Sequence, residues 1–187
     1  MLSIMAGFLV GMGGMIYLTL GGVAGAIFFS LGLTTIAIFK FNLFTGKAGL
    51  YADGKISFTE LAGIWFGNYV GAIFAAVGAS MLPQAEKIRA SAQAIMELRN
   101  GNPPLVNFAL GAMCGLLMYV AVTGFAKTGS YIFLIAPVAF FILCGYNHCV
   151  ADMFYATLGT TYIKELEPLI YTTFGNLLGA NVIPLIN

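Results

Sequence analysis

The chain contains a single histidine, His148, whose unperturbed imidazole titrates near working pH and can give, take or share a proton. It lies in Cys144-Gly145-Tyr146-Asn147-His148-Cys149-Val150-Ala151-Asp152, inside a long apolar stretch. A neutral imidazole there can simply bond a neighbouring helix as a satisfied core group. Inside a bilayer, however, an ionisable residue is costly to bury and is a functional candidate by default. Asp152 stands four residues on, so the two share a face if the helix continues between them. Its carboxylate would oppose passage of a bare anion; equally, it would cap or bond a broken helix end. Zinc asks for three or four ligands, and only Cys149 and Asp152 lie near the histidine in sequence. No metal or cofactor is expected.

A second passage of the same odd character is Lys40-Phe41-Asn42-Leu43-Phe44-Thr45-Gly46-Lys47. At an offset of 101, Leu43 to Lys47 fall opposite Cys144 to His148. Short, Gly-interrupted segments at matching positions of two halves point to a transport site. Irregular backbone at membrane depth survives only when buried in protein or lining a watery cavity. Lys40 and Lys47 are close enough to a membrane face to snorkel. Phe41 and Phe44 serve as ordinary packing or, beside a helix break, as hydrophobic constrictions.

The elements that must hold these passages are membrane helices. Of 187 residues, 60% are hydrophobic and 8% charged, whereas a soluble surface needs roughly 25% charge. A net charge of +1 gives no footprint for nucleic acid. Three cysteines in apolar surroundings argue against a disulfide scaffold. Charge-free gaps at 1–39, 61–85, 100–126, 128–151 and 168–187, set against the roughly 20 apolar residues a span requires, give six helices, because Gly21-Gly22 divides the first gap. The expected spans are 3–20, 24–50, 58–82, 105–126, 131–158 and 166–186. Ala52 to Lys55, Lys127 to Gly129, and Lys164 to Pro168 read as turns. Ser57 and Glu60 read as a capping box, and Ala85 to Leu98 as a short surface helix. The first helix has no basic n-region and reads as a retained span. Basic residues are too evenly divided for the positive-inside rule to orient the chain.

Phe66-Gly67-Asn68-Tyr69-Val70-Gly71-Ala72 returns as Phe174-Gly175-Asn176-Leu177-Leu178-Gly179-Ala180, and Met12-Gly13-Gly14 is echoed by Met113-Cys114-Gly115. The glycines themselves are small-xxx-small packing contacts. The repeat gives the fold expectation: an all-α membrane protein of six transmembrane helices, as two inverted three-helix repeats with helices 2 and 5 interrupted. It forms one domain over 1–187, with repeats at about 1–82 and 105–187 joined by a polar connection at about 83–104. Three is odd, so the copies cross in opposite directions and place a pathway at their interface.

Asn42-Leu43-Phe44-Thr45-Gly46, the segment from Gly145 to Phe154 and the paired Phe-Gly-Asn helices together resemble the formate/nitrite transporter family, over essentially the whole chain. The resemblance implies an aquaporin-like protomer in a homopentamer, each protomer with its own pore for a small monovalent anion. It assigns Leu43, Phe44 and Thr45 to a loop beside the pore, His148 to the central histidine, and Arg99 to a basic residue near the pore. Two departures stand out. Asn147 replaces the glutamate usual before the histidine, and Asp152 replaces an asparagine, so the negative charge has changed sides.

The expected function is passage of formate, nitrite or hydrosulfide across a bacterial inner membrane. His148 aids it, with proton coupling as one form, along a path formed by His148, Thr45, Phe44, Leu43, Asn147, Asp152 and Arg99. A neutral-solute channel for water or urea is the alternative, although twin Asn-Pro-Ala motifs are absent. An intramembrane enzyme would need a nucleophile elbow, paired carboxylates or a metal set, and none is present in the sequence.

Overall fold

Two consecutive glycines make the first reversal of the chain. Gly21 and Gly22 have φ of 67° and 54°, a left-handed conformation that a Cβ would oppose. Helix α1 (Leu2–Leu20) therefore stops and α2 (Gly22–Ile38) starts within two residues. The computed structural model describes residues 1–159 and 166–186, and its regular elements are all helical. They continue as α3 (Phe44–Lys47, followed by a 3-10 turn at Ala48–Leu50), α4 (Phe58–Ala79), α5 (Ala85–Gly101), α6 (Pro104–Thr128), α7 (Ile132–Leu143), α8 (Cys149–Gly159) and α9 (Glu167–Ile186).

Four of these, α1, α4, α6 and α9, are long and apolar enough to cross a bilayer. The expected spans 24–50 and 131–158 are each divided. α2 stops at Ile38 and α7 at Leu143, and each is followed by non-helical residues before the next helix. Elsewhere the local signals act as expected. Glu60 donates its backbone N–H to Ser57 Oγ, and its carboxylate accepts from the Ser57 N–H, closing the capping box. α6 carries Pro104 in its first turn and runs through Lys127 and Thr128 to a left-handed Gly129, so the turn expected at Lys127 to Gly129 falls instead at Gly129 to Tyr131. The surface helix expected to end at Leu98 extends to Gly101, which takes Arg99 into its last turn. Of the turn expected at Lys164 to Pro168, Lys164 and Glu165 lie outside the described residues.

Packing follows two parallel schemes. α1 lies against α4 and α2; α6 lies against α9 and α7; α2 and α7 meet, and α8 is enclosed by α4 and α5. The chemical layering is reversed relative to a water-soluble protein. Phe66, Phe74, Leu105 and Phe174 face outward, while Thr45, Asn68, Asn107, Asn147, Thr172 and Asn176 are buried. With no water in hydrocarbon to serve them, these polar groups have to be satisfied by one another.

The long pairs approach closely through glycine. A Cβ on Gly7 would run into the carbonyl of Asn68, and one on Gly71 into that of Ile4. A Cβ on Gly115 would strike the carbonyl of Asn176, and one on Gly179 that of Ala112. Because the obstacle in each case is backbone, relief means moving a helix. Gly179→Ala is expected to lower stability by about 1–3 kcal/mol, the usual cost of overpacking, measured as thermal unfolding in detergent. Gly78→Ala, where a Cβ meets nothing within 4 Å, should leave it unchanged.

Candidate functional site

The ends of α2 and α7 are built alike. Lys40 (φ 55°) and Gly145 (φ 70°) take the left-handed conformation just past each helix. Phe41 N–H donates to Ile36 C=O at 3.0 Å and Tyr146 N–H to Phe141 C=O at 2.9 Å; Lys40 donates to Ala37 and Gly145 to Ile142. Both are Schellman closures, which satisfy the last carbonyls of a helix. The chain then restarts. Lys47 N–H donates to Leu43 C=O and Asp152 N–H to His148 C=O. Every pair of equivalent atoms is 105 positions apart, not the 101 expected from sequence. Leu43 therefore stands opposite His148, Phe44 opposite Cys149, and Lys47 opposite Asp152. Backbone bonds fix this register, whatever side chains stand there.

One asparagine holds each restart. Asn68 Oδ1 accepts from Phe44 N–H at 2.8 Å, while its Nδ2 donates to the carbonyls of Ser3 and Asn42. Asn176 Oδ1 accepts from Cys149 N–H at 2.8 Å, and its Nδ2 donates to the carbonyls of Gly111 and Asn147. These are the asparagines of the repeated Phe-Gly-Asn motif. Both are fully buried. Asn181 adds a clamp behind α3, accepting from Ala52 N–H and donating to Ala48 C=O.

His148 occupies the N-cap of α8, where its Nδ1 accepts the backbone N–H of Ala151 at 3.2 Å. That bond makes Nδ1 the acceptor and assigns the ring proton to Nε2. Nε2 lies 2.9 Å from Thr45 Oγ1 and donates to it, which leaves the hydroxyl proton of Thr45 to be offered elsewhere. Phe141 stacks on the imidazole at 5.5 Å, and Phe29 meets Phe141 edge-on at 6.0 Å. The histidine thus sits between a hydroxyl from the first break and an aromatic pair from α2 and α7.

A cavity of about 140 Å³ opens beside this ring, with Tyr17, Arg99, Phe141, His148, Asp152 and Tyr155 in its walls. Arg99 Nε lies 3.7 Å from Asp152 Oδ1, their side chains 12% and 3% exposed. Arg99 Nη1 donates to Gly145 C=O at 3.3 Å, so the last turn of α5 is tied to the end of α7. Behind the pair, Asn147 Nδ2 donates to Asn107 Oδ1 and to Thr172 Oγ1, and Asn107 Nδ2 donates to Arg99 C=O. A larger cavity, about 200 Å³, lies between α4 and α9 with Phe44, Leu61, Trp65 and Phe174 in its walls. It has no titratable side chain, so the chemistry belongs to the smaller one. On another face Lys47, Lys55 and Glu60 border an open pocket, where Asp53, 2.6 Å from the Lys55 ammonium, raises its pKa.

The structure brings His148, Thr45, Arg99 and Asp152 together. Phe44 and Leu43 adjoin Thr45 and are buried, and Asn147 is buried behind the cavity without lining it. Asp152 does not cap α8, since His148 and Asn176 do that. Phe41, read as packing or constriction, packs: it is half-buried against the core and stacks on exposed Phe39 at 5.9 Å. The aromatic pair beside the histidine is Phe29 and Phe141. Asn68, Asn176, Asn107, Thr172, Phe29 and Phe141 escaped the sequence reading. For Asn68 and Asn176 the signal was present: a carboxamide inside an apolar helix, twice, at one place in a repeat. Burying an amide is costly unless it is hydrogen-bonded. Among the described residues no three of His, Cys, Asp and Glu gather as a metal ligand set.

Known proteins share this fold. Residues 1–186 match the formate/nitrite transporter family, and the chain belongs to it. It is 29% identical over 170 residues to the formate channel FocA of Haemophilus influenzae and 26% identical over 171 to that of Escherichia coli K12. Each match covers 82% of this chain and 59% of the relative, so the chain spans less than two thirds of the length of these curated relatives. Among solved structures it is similar to a pentameric formate channel with formate bound, with a TM-score of 0.83 and 27% identity over 99% of this chain and 92% of that one. It is also similar to an FNT family ion channel, with a TM-score of 0.83 and 28% identity over 97% of this chain and 84% of that one.

Proposed function

We propose that the chain is a membrane channel for small monovalent weak acids and their anions (formate, nitrite or hydrosulfide), with a path in each protomer of a homopentamer in a bacterial inner membrane. The observation that carries this reading is the His148–Thr45 hydrogen bond, made between the two helix breaks and beside a cavity that also holds Arg99. Matched closures and matched asparagine caps support an architecture of two inverted three-helix units. In it, α2 with α3 and α7 with α8 form the interrupted spans.

A bare ion loses many kcal/mol of hydration on entering an apolar slit, whereas a neutral acid loses far less. Arg99, charge-balanced by Asp152, and the positive end of α8 draw the acceptor atoms of the weak acid into the cavity. Thr45, whose oxygen accepts the His148 Nε2–H, then offers its own hydroxyl proton to the solute where the path narrows between aromatic rings. Phe44 and Leu43 shut out hydrated ions on the other side. Membrane lipid covers the outward aromatic face.

Flux into proteoliposomes tests the class of solute. Labelled formate, nitrite and hydrosulfide should equilibrate much faster than in protein-free vesicles, and faster as pH falls. Osmotic swelling with water or urea should stay at the protein-free rate. Swelling without acid flux would replace this reading with the neutral-solute channel.

A further inference from the structure

Three buried polar atoms around the cavity have no hydrogen-bond partner among the described residues: Arg99 Nε, Asp152 Oδ1 and Asn147 Oδ1. Two of them face each other, donor to acceptor, across 3.7 Å. That gap is too long for a direct charge-assisted bond, which closes at about 2.7–2.9 Å. Leaving both groups unmade in a buried place is expensive. The remaining groups that face them are accounted for. Arg99 Nη1 is held by Gly145 C=O, Thr172 Oγ1 accepts from Asn147 and turns its own proton toward the Asp152 carboxylate, and His148 is engaged at both nitrogens. Tyr17 and Tyr155 complete the wall.

We infer that Asp152 and Arg99 form an acid-selective subsite ahead of the histidine, one that takes a small weak acid together with its proton and rejects anions that carry none. The inference rests on the channel reading above and adds to it which protonation state of the solute the cavity accepts. The ligand's O–H or S–H donates to Asp152 Oδ1, and its acceptor atom takes the Arg99 N–H. One proton is shared between ligand and Asp152, so the filled site gains no net charge and both orphan atoms are satisfied. An anion without a proton would set its charge against the Asp152 carboxylate, which already offsets the Arg99 guanidinium. Arg99 therefore does not act as a free cation that collects any anion.

Nitrate separates the two cases, since it matches nitrite in size and charge and stays unprotonated at working pH. Labelled formate uptake is measured in proteoliposomes at fixed pH and ionic strength while nitrate replaces an impermeant anion. Wild-type uptake should not change. In Asp152→Asn, which keeps the side chain's shape and removes its charge, nitrate should suppress uptake at least about fivefold, the least expected from uncovering one cation at this range. Asp152→Ser gives the same readout if the asparagine variant does not assemble. Nitrate inhibition of the wild type, or insensitivity of both variants, overturns the inference. A wild type that carries no formate at all overturns the channel reading instead.

Discussion

Asn176→Leu is expected to abolish assembly and transport together. Leucine matches the amide in bulk but removes the acceptor for Cys149 N–H and the donor to the carbonyls of Asn147 and Gly111. Each buried group left without a partner costs roughly 1–3 kcal/mol, and no water is at hand to take its place. The sum is a large part of the 5–15 kcal/mol that typically separates folded from unfolded. Asn176→Asp, which as a buried neutral acid keeps the acceptor and one of the two donors, should be damaged but recoverable. The measurement is oligomer recovery and thermal unfolding in detergent, followed by formate flux for whatever assembles. Asn68→Leu should behave in the same way, because Asn68 makes the equivalent three bonds at the other break. Wild-type melting and flux in either leucine variant would show that the asparagines do not hold the restarts.

The long helices were legible because charge and length are local properties. Gaps between ionisable residues bound α1, α4, α6 and α9 to within three residues of their observed ends. The two interrupted stretches were visible as places but not as geometry. Their register is set by backbone bonds that accept Lys40 at one closure and Gly145 at the other, so matching by side-chain likeness slid it by four positions. The observed register decides which side chains stand opposite one another. It pairs Leu43 with His148 and Lys47 with Asp152, which means that one break retained hydrophobic and cationic residues where the other holds an imidazole and a carboxylate.

Within the site, His148 announced itself by being the sole imidazole, set in apolar sequence. Its two bonds did not, since Thr45 lies 103 positions away and arrives through α3, a single turn of helix held by Asn68. Arg99 was placed near the path by resemblance. That it faces Asp152 depends on the docking of α5 onto α8, which no spacing in the sequence encodes. The repeated Phe-Gly-Asn motif was read for its glycines, which do pack. Its asparagines are the part that shapes the site.

His148→Asn tests the central claim most directly, because it separates the two jobs of the ring. Asparagine is a favoured N-cap residue, so it can take over the bond from Ala151 N–H and keep α8 started. Its side chain is too short to reach Thr45 as Nε2 does, so the donor beside the aromatic pair is lost. The variant should assemble and melt like the wild type. Its formate flux, measured across a pH series in proteoliposomes, should fall by about a hundredfold, as expected when a positioned proton donor is removed, and its rise toward acid pH should flatten. Flux equal to the wild type at every pH would contradict the account.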